Sequence, residues 1–269
     1  MAAIDTAVIL AAGRGSRLAS VAAGTPKPLL PIDGAGGTVT FLDWHARCLA
    51  ATGVRAIYLV GSHRTVGARV AAPAGIATQW ILNPNADPAR SGSACSMQIA
   101  WTSAHRILDG ASRVLLMDAD VAYDPALLRL VADAPEPRSK LLVAAHHADT
   151  GEEVLVYGDP CAPGVPRRLG KGLRGTAAVA GMPCLGEAAG IVLFEPADHA
   201  LLAALTDWCV NASPRAGRCE HEDVTQLLML QDRVRAVRFG PEHPFIEVDT
   251  PADYARLRDE VFPRLSRSC

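Results

Sequence analysis

The 269-residue sequence has no cysteine pair spaced C-x-x-C, no apolar run long enough to cross a bilayer, and no marked excess of charge of either sign. Its seven cysteines (Cys48, Cys95, Cys161, Cys184, Cys209, Cys219 and Cys269) are odd in number and scattered. That argues against a disulfide framework or a zinc site and for a reducing, cytoplasmic setting. The first six residues carry no basic region, and the apolar stretch 7–12 is too short for a signal peptide or a span, so no export and no membrane association are expected. Lys+Arg 26 against Asp+Glu 28 gives a formal net charge of −2. There is no global positive field to hold nucleic acid, so any anion must be held locally. The histidines, the His146-His147 doublet included, show neither H-x-x-x-H nor H-E-x-x-H spacing and receive no metal role. No internal repeat, low-complexity tract or linker interrupts the chain.

What is present is an ordinary globular composition, 49% apolar and 20% charged, over a length that fits one α/β domain. The expected boundaries are a single domain over 1–262 and a tail over 263–269. The continuous apolar run at 7–11, ended by glycine, reads as a strand buried on both faces. A helix over 40–52 with Gly53 as its stop, strands at 56–60 and 77–82, a helix over 93–107, a strand at 114–117, a helix over 125–131 and a strand at 141–145 follow. This alternation predicts a Rossmann-like, mainly parallel (mixed) sheet flanked by helices, with ligands at the carboxyl ends of the strands. The pattern loosens at about 150–186 into a small β-rich, substrate-side insertion: a strand at 154–157, then a Pro/Gly-rich irregular excursion over 158–175. A strand at 188–194, helices over 196–210 and 224–231, short strands at 234–239 and 245–248, and a last helix from Pro251 complete the chain.

The most informative stretch is Leu10-Ala11-Ala12-Gly13-Arg14-Gly15-Ser16-Arg17-Leu18, followed by Thr25-Pro26-Lys27-Pro28-Leu29. Glycine lets a backbone approach a phosphate with no side chain in the way, so successive N–H groups can face its oxygens. Arg14 and Arg17 add cations at the same place, and the arginine fork matches phosphate better than a point charge does. Pro26 stiffens the approach to Lys27, aiming one ammonium at one phosphate. A dinucleotide fingerprint, and with it a nicotinamide-dependent oxidoreductase, is disfavoured by Leu18, which stands where a third glycine or alanine is wanted; the P-loop pattern G-x-x-x-x-G-K-[ST] is absent.

With the downstream Pro26-Lys27-Pro28-Leu29, this loop resembles the pyrophosphorylase pattern of the nucleotidyltransferase superfamily, which has a GT-A-like fold. Within that superfamily the likeness is greatest to the phosphocholine and 2-aminoethylphosphonate cytidylyltransferases. It rests on Asp118-Ala119-Asp120-Val121, on the polar loop and helix start over 83–97, and on Glu247-Val248-Asp249-Thr250-Pro251-x-Asp253-Tyr254. The resemblance implies transfer of a nucleoside monophosphate, most readily CMP from CTP, to a small phosphorylated or phosphonate acceptor, with Mg²⁺ as cofactor and pyrophosphate as product. A nucleoside triphosphate and the acceptor are then the partners, and a homodimer is compatible with it.

By that resemblance Lys27, Arg17 and Arg14 are catalytic, and Asp120 and Asp249 hold the metal; each aspartate alone reads equally well as a turn or cap residue. Leu10, Ala11, Ala12, Gly13, Gly15, Ser16, Gly92, Ser93 and Asp118 would bind the nucleotide. Ser91-Gly92-Ser93 also offers hydroxyls at a helix N-terminus, and a simple cap there is compatible with that role. Lys171, Glu187, Glu222 and Asp223 are the candidate acceptor residues; carboxylates suit an amine, whereas a quaternary ammonium calls for an aromatic cage. The attacking oxygen is already anionic, so no general base is required, and catalysis is mostly positioning and charge neutralisation. A sugar-1-phosphate nucleotidylyltransferase is the nearest variant, and a catalytically silent nucleotide-sensing regulatory subunit the alternative from another class.

Overall fold

The computed structural model describes residues 4–13, 15–34, 37–85, 91–146, 151 and 153–265. Arg14 and His147 lie outside the described residues. The centre of the molecule is β1 (Ile4–Ala11), parallel to β4 (Ala56–Gly61) on one side and β6 (Arg113–Asp118) on the other. It is apolar throughout its second half because its alternate residues serve two cores. Ala7, Ile9 and Ala11 enter one, and Val8 and Leu10 the other.

Beyond β4 the parallel β5 (Ala77–Leu82) extends the sheet. Beyond β6 it turns antiparallel through β11 (Cys184–Phe194), which pairs in turn with β8 (Ser139–Ala144), itself parallel to β12 (Val234–Phe239). The order is therefore β5-β4-β1-β6-β11-β8-β12. The N-terminal part of β11 carries β9 (Leu155–Asp159), and β9 carries β10 (Ala162–Gly170).

Helices cover both faces. One layer packs α2 (Phe41–Ala50), α4 (Ala126–Asp133) and the C-terminal α8 (Phe262–Leu265) against the sheet. The other packs α3 (Ser93–Trp101), α5 (His199–Asn211) and α6 (His221–Leu230). The short α1 (Ala19–Ala22) follows the glycine loop, and α7 (Pro251–Arg256) leads through a π-turn into α8.

Several expectations are corrected here. The excursion over 158–175 is not irregular: half of it is strand β10, which bulges against β9 and sits at the sheet edge, where proline is tolerated. The helix expected over 93–107 ends at Trp101. Three short strands went unforeseen, namely the hairpin of β2 (Pro31–Gly34) with β3 (Gly37–Thr40), and β7 (Val121–Tyr123). Leu265 is fully buried in the core.

Candidate active site

The site is built at the carboxyl ends of β1 and β6. After β6 the chain turns at Ala119-Asp120 into β7, which pairs antiparallel with β13 (Phe245–Glu247), and the Val248 N–H then donates to the Asp120 carbonyl at 3.1 Å. This two-stranded ribbon carries Asp249 to the side of Asp120. Thr250, not Asp249, caps α7, forming a reciprocal capping box with Asp253 and leaving the Asp249 carboxylate free of that duty. From beneath, Trp44 on α2 donates its indole N–H to the Tyr123 carbonyl, and His45 Nδ1 lies 3.3 Å from the Tyr123 hydroxyl, anchoring β7 to the core.

Lys27 stands between the two aspartates, its Nζ 2.5 Å from Asp120 Oδ2 and 2.7 Å from Asp249 Oδ1. The lysine is 7% exposed. Burial disfavours its charge, but the carboxylates of Asp120 and Asp249 more than reverse that and hold it above the usual lysine range. Burial likewise pushes Asp249 up, and Lys27, then Lys171 and Arg17, bring it below the ordinary carboxylate range. Gly15 makes the loop possible: its φ is +61°, and a Cβ there would lie 2.7 Å from the Lys27 Cβ.

Asp120, Glu247 and Asp249 each bring one carboxylate oxygen within 4.8 Å of the others. Three hard oxygen donors beside the glycine loop fit a hard divalent cation such as Mg²⁺, which takes few carboxylates and completes its shell with water and substrate phosphates. Burial, and then the charges of Asp120, Asp118 and Asp249, hold Glu247 above its ordinary range, as expected of a carboxylate with too many neighbours of its own sign.

Beside this cluster a cleft is lined by Leu10, Ala12 and Gly13 from the glycine loop, by Ser91–Ser93 with Asn83 and Ser96, and by Asp118, Asp120 and Glu220. Its wall is a stitched pair of segments. Gly92 N–H donates to the Gly217 carbonyl, Ala94 N–H to the Cys219 carbonyl, and Ser93 N–H to Glu220 Oε2 at 2.6 Å. A Cβ at Gly92 would fall 2.1 Å from the Cys219 oxygen, so only glycine lets the segments meet.

At the start of α6, His221 N–H donates to Ser93 Oγ, while its ring lies between two acids: Nε2 is 3.4 Å from Asp118 Oδ2, and Nδ1 is 2.8 Å from Glu222 Oε2. Burial works against the imidazolium, but Asp118 first and Glu222 next raise it to about 10. The folded value lies above the unfolded one, near 6.5, so the stabilisation is lost as pH climbs from there toward 10; burial pushes Asp118 up to about 7, so below that pH the imidazolium leans on Glu222. Thermal unfolding of the chain and of His221→Gln should accordingly differ most near pH 6.5, with the gap closing by on the order of 1–3 kcal/mol by pH 9.5. A gap that stays constant with pH would refute the pairing.

The remaining expected site residues fall in different places. Ser16 and Arg17 form a short 3₁₀ turn at the end of the glycine loop, with Arg17 near enough to lower Asp249. Ala11 is fully buried and offers only its backbone. Lys171, in the turn after β10, lies close enough to act on both Glu222 and Asp249. Glu187 on β11 is pushed up to about 7 by burial and then by Glu153, with Arg256 opposing. Asp223 is the reciprocal member of the α6 capping box and pairs with Arg215, an architectural duty that sets it apart from the cleft lining. Glu220, His221 and Ser96 were not singled out from the sequence, and Glu247 was quoted there without a role. For the first two the available signal was an acidic helix start, which reads equally as a cap.

Residues 7–181, well over half of the chain, match the MobA-like NTP transferase domain. The CMP-5'-(3-aminopropyl)phosphonate synthase of Streptomyces rubellomurinus is 35% identical over 133 residues, 48% of this chain and 19% of that protein, so the chain spans about a fifth of that relative's length. The solved inositol-1-phosphate CTP transferase of T. maritima superposes with a TM-score of 0.76 at 19% identity, over 99% of this chain and 96% of that one, and so shares the fold. With the glycine loop, the lysine and the paired carboxylates gathered at one end of such a sheet, the chain belongs to the MobA-like NTP transferase domain family.

Proposed function

We propose that the chain transfers CMP from CTP to a small acceptor bearing a terminal phosphate or phosphonate, of the phosphocholine or 2-aminoethylphosphonate type, in the cytoplasm and with Mg²⁺. The observation that carries this reading is the Lys27 ammonium held between Asp120 and Asp249 at the rim of the glycine-loop cleft. The relative that makes a CMP-phosphonate supports the choice of nucleotide and acceptor.

In the reaction an acceptor oxygen forms a bond to the α-phosphorus as the bond from that phosphorus to pyrophosphate breaks. The acceptor oxygen is anionic near neutral pH, so no proton has to be removed, and the chain's work is to orient and to neutralise. Backbone groups of Gly13 and Gly15 face the phosphates, Arg17 and Lys27 offset the charge that develops on the leaving group, and Lys171 steadies the acceptor's anionic end. A divalent ion held by Asp120, Glu247 and Asp249 would supply Lewis-acid neutralisation of the triphosphate.

The test is pyrophosphate release with Mg²⁺, each of the four nucleoside triphosphates in turn, and a panel of phosphocholine, 2-aminoethylphosphonate and sugar 1-phosphates. Release that requires CTP together with an amino-alcohol phosphate or aminophosphonate is expected. Release only with sugar 1-phosphates moves the acceptor class, and triphosphate binding with no release under any pairing makes the chain a silent sensor.

A further inference from the structure

Between the end of β1 and Lys27 the chain is anchored in the core by Leu18 and Ala22, and it leaves α1 through two successive left-handed residues, Ala23 at φ +44° and Gly24 at φ +83°. The left-handed region is unfavourable for a residue with a Cβ, so Ala23 stays there only because its surroundings hold it. Both ends of this segment are tied to one place, the turn over 62–65 that follows β4.

At the first end, the Ala11 carbonyl oxygen lies 3.3 Å from Oγ1 of Thr65, a side chain buried to 1% exposure. The same hydroxyl oxygen accepts the Ser62 N–H at 2.9 Å, and its one proton has the Ser62 and Ala11 carbonyls as acceptors. A Cβ on Gly61 would fall 2.5 Å from that oxygen and 2.6 Å from the Trp80 ring, so glycine at the end of β4 is what lets the threonine reach β1. At the second end, Arg64 Nη2 donates to the Gly24 carbonyl at 2.5 Å, three positions before Lys27. The N–H of that same peptide, from Thr25, closes onto the Ala22 carbonyl at 2.7 Å. The segment following the turn is fixed from behind, where the Trp80 indole donates to the Ala68 carbonyl and the Ala71 N–H donates to Asp43 Oδ1.

We propose that the turn over 62–65 is a clamp that presets the glycine loop for a triphosphate, with Thr65 and Arg64 as positioning residues. The proposal rests on the transferase reading above. Thr65 fixes the peptide between Ala11 and Ala12, from which the chain departs along the cleft lining toward Gly13. Arg64 fixes the peptide between Gly24 and Thr25, which opens the approach to Lys27. Both side chains act on carbonyl oxygens of the loop, so neither has to touch a phosphate. A loop already held in its binding shape needs no ordering when the anion arrives, and its affinity is not reduced by that cost.

The experiment compares the unaltered chain with Thr65→Val, which keeps the side chain's size and removes the hydroxyl, with Thr65→Ser, which keeps the hydroxyl, and with Arg64→Ala. In pyrophosphate release with Mg²⁺ and the acceptor that the unaltered chain uses, Thr65→Val and Arg64→Ala should each raise KM for CTP by about tenfold, the order of one lost hydrogen bond, and leave KM for the acceptor within about twofold. Thr65→Ser should recover most of the loss. A KM for CTP that moves by less than about twofold in Thr65→Val overturns the proposal whatever happens to the melting temperature, since the hydroxyl is then structural only. An equal rise in both KM values, or a loss in Thr65→Ser as large as in Thr65→Val, also overturns it. An effect of Arg64→Ala with Thr65→Val silent marks Arg64 as a direct phosphate contact and overturns the clamp. If no acceptor is turned over, the transfer reading fails, and calorimetric binding of CTP and of inorganic tripolyphosphate decides the clamp. Weakening of both by about tenfold in Thr65→Val, recovered in Thr65→Ser, upholds it. Binding equal to that of the unaltered chain, or no binding to the unaltered chain at all, overturns it.

Discussion

Lys27→Ala is expected to lower kcat for pyrophosphate release by about 10²–10³-fold, the usual effect of removing one preorganised charge-stabilising donor from a reaction centre. The ammonium is buried, is held on two sides by Asp120 and Asp249, and stands at the entrance of the glycine-loop cleft, so its position is fixed before substrate arrives. The same substitution has a second, opposite consequence. With the ammonium gone, Asp120, Glu247 and Asp249 face one another with no internal counter-charge, and the folded state should lose about 1–3 kcal/mol in the presence of a chelator. Added Mg²⁺ should restore much of that loss and bind more tightly than to the unaltered chain, because it no longer competes with a cation. Thermal unfolding with and without Mg²⁺, set beside the kinetics, separates the two effects. If activity is retained, or if stability is indifferent to Mg²⁺, Lys27 is a structural ion-pair partner only.

Asp120→Asn and Asp249→Asn should each reduce turnover by about 10³-fold, since cation-based charge stabilisation contributes several kcal/mol and each 1.4 kcal/mol or so is a factor of ten. The double variant should be little worse than either single one, because the two side chains serve a single centre. Mn²⁺ binding followed by electron paramagnetic resonance gives the independent readout, with affinity falling in both single variants. Additive losses in the double variant would mean that the two aspartates act separately and that the cluster does not hold one ion.

What the sequence disclosed follows from how local the information was. The glycine loop and Lys27 are separated by a dozen residues, and the constraints that shape them, a φ of +61° at Gly15 and prolines flanking Lys27, are written in the residues themselves. The parallel half of the sheet was legible for the same reason, since uninterrupted apolar runs such as that of β1 have few other uses. Strand β10 was not, because Pro163, Gly164 and Pro166 carry turn signals that an edge position overrides. The meeting of Asp120 with Asp249 depends on β7 and β13, each three residues long, too short for periodicity to register, and only the resemblance brought the two together. Glu220 and His221 stayed hidden because an acid at a helix start is commonplace. Their distinguishing feature, the join to Ser93 across 127 and 128 positions, exists only in three dimensions.

The β7–β13 ribbon also dictates when the site can exist. Lys27 leaves the ribosome before Asp249, and the contact between them spans 222 positions, about 10–40 s of synthesis at ordinary elongation rates. Until residues 245–249 have emerged and paired with β7, a growing chain can display its glycine loop but cannot bring Glu247 and Asp249 beside Asp120. Emergence of residues 245–249 is thus a condition of chemistry, and a molecule stopped short of them is kept inert by the path of its own backbone.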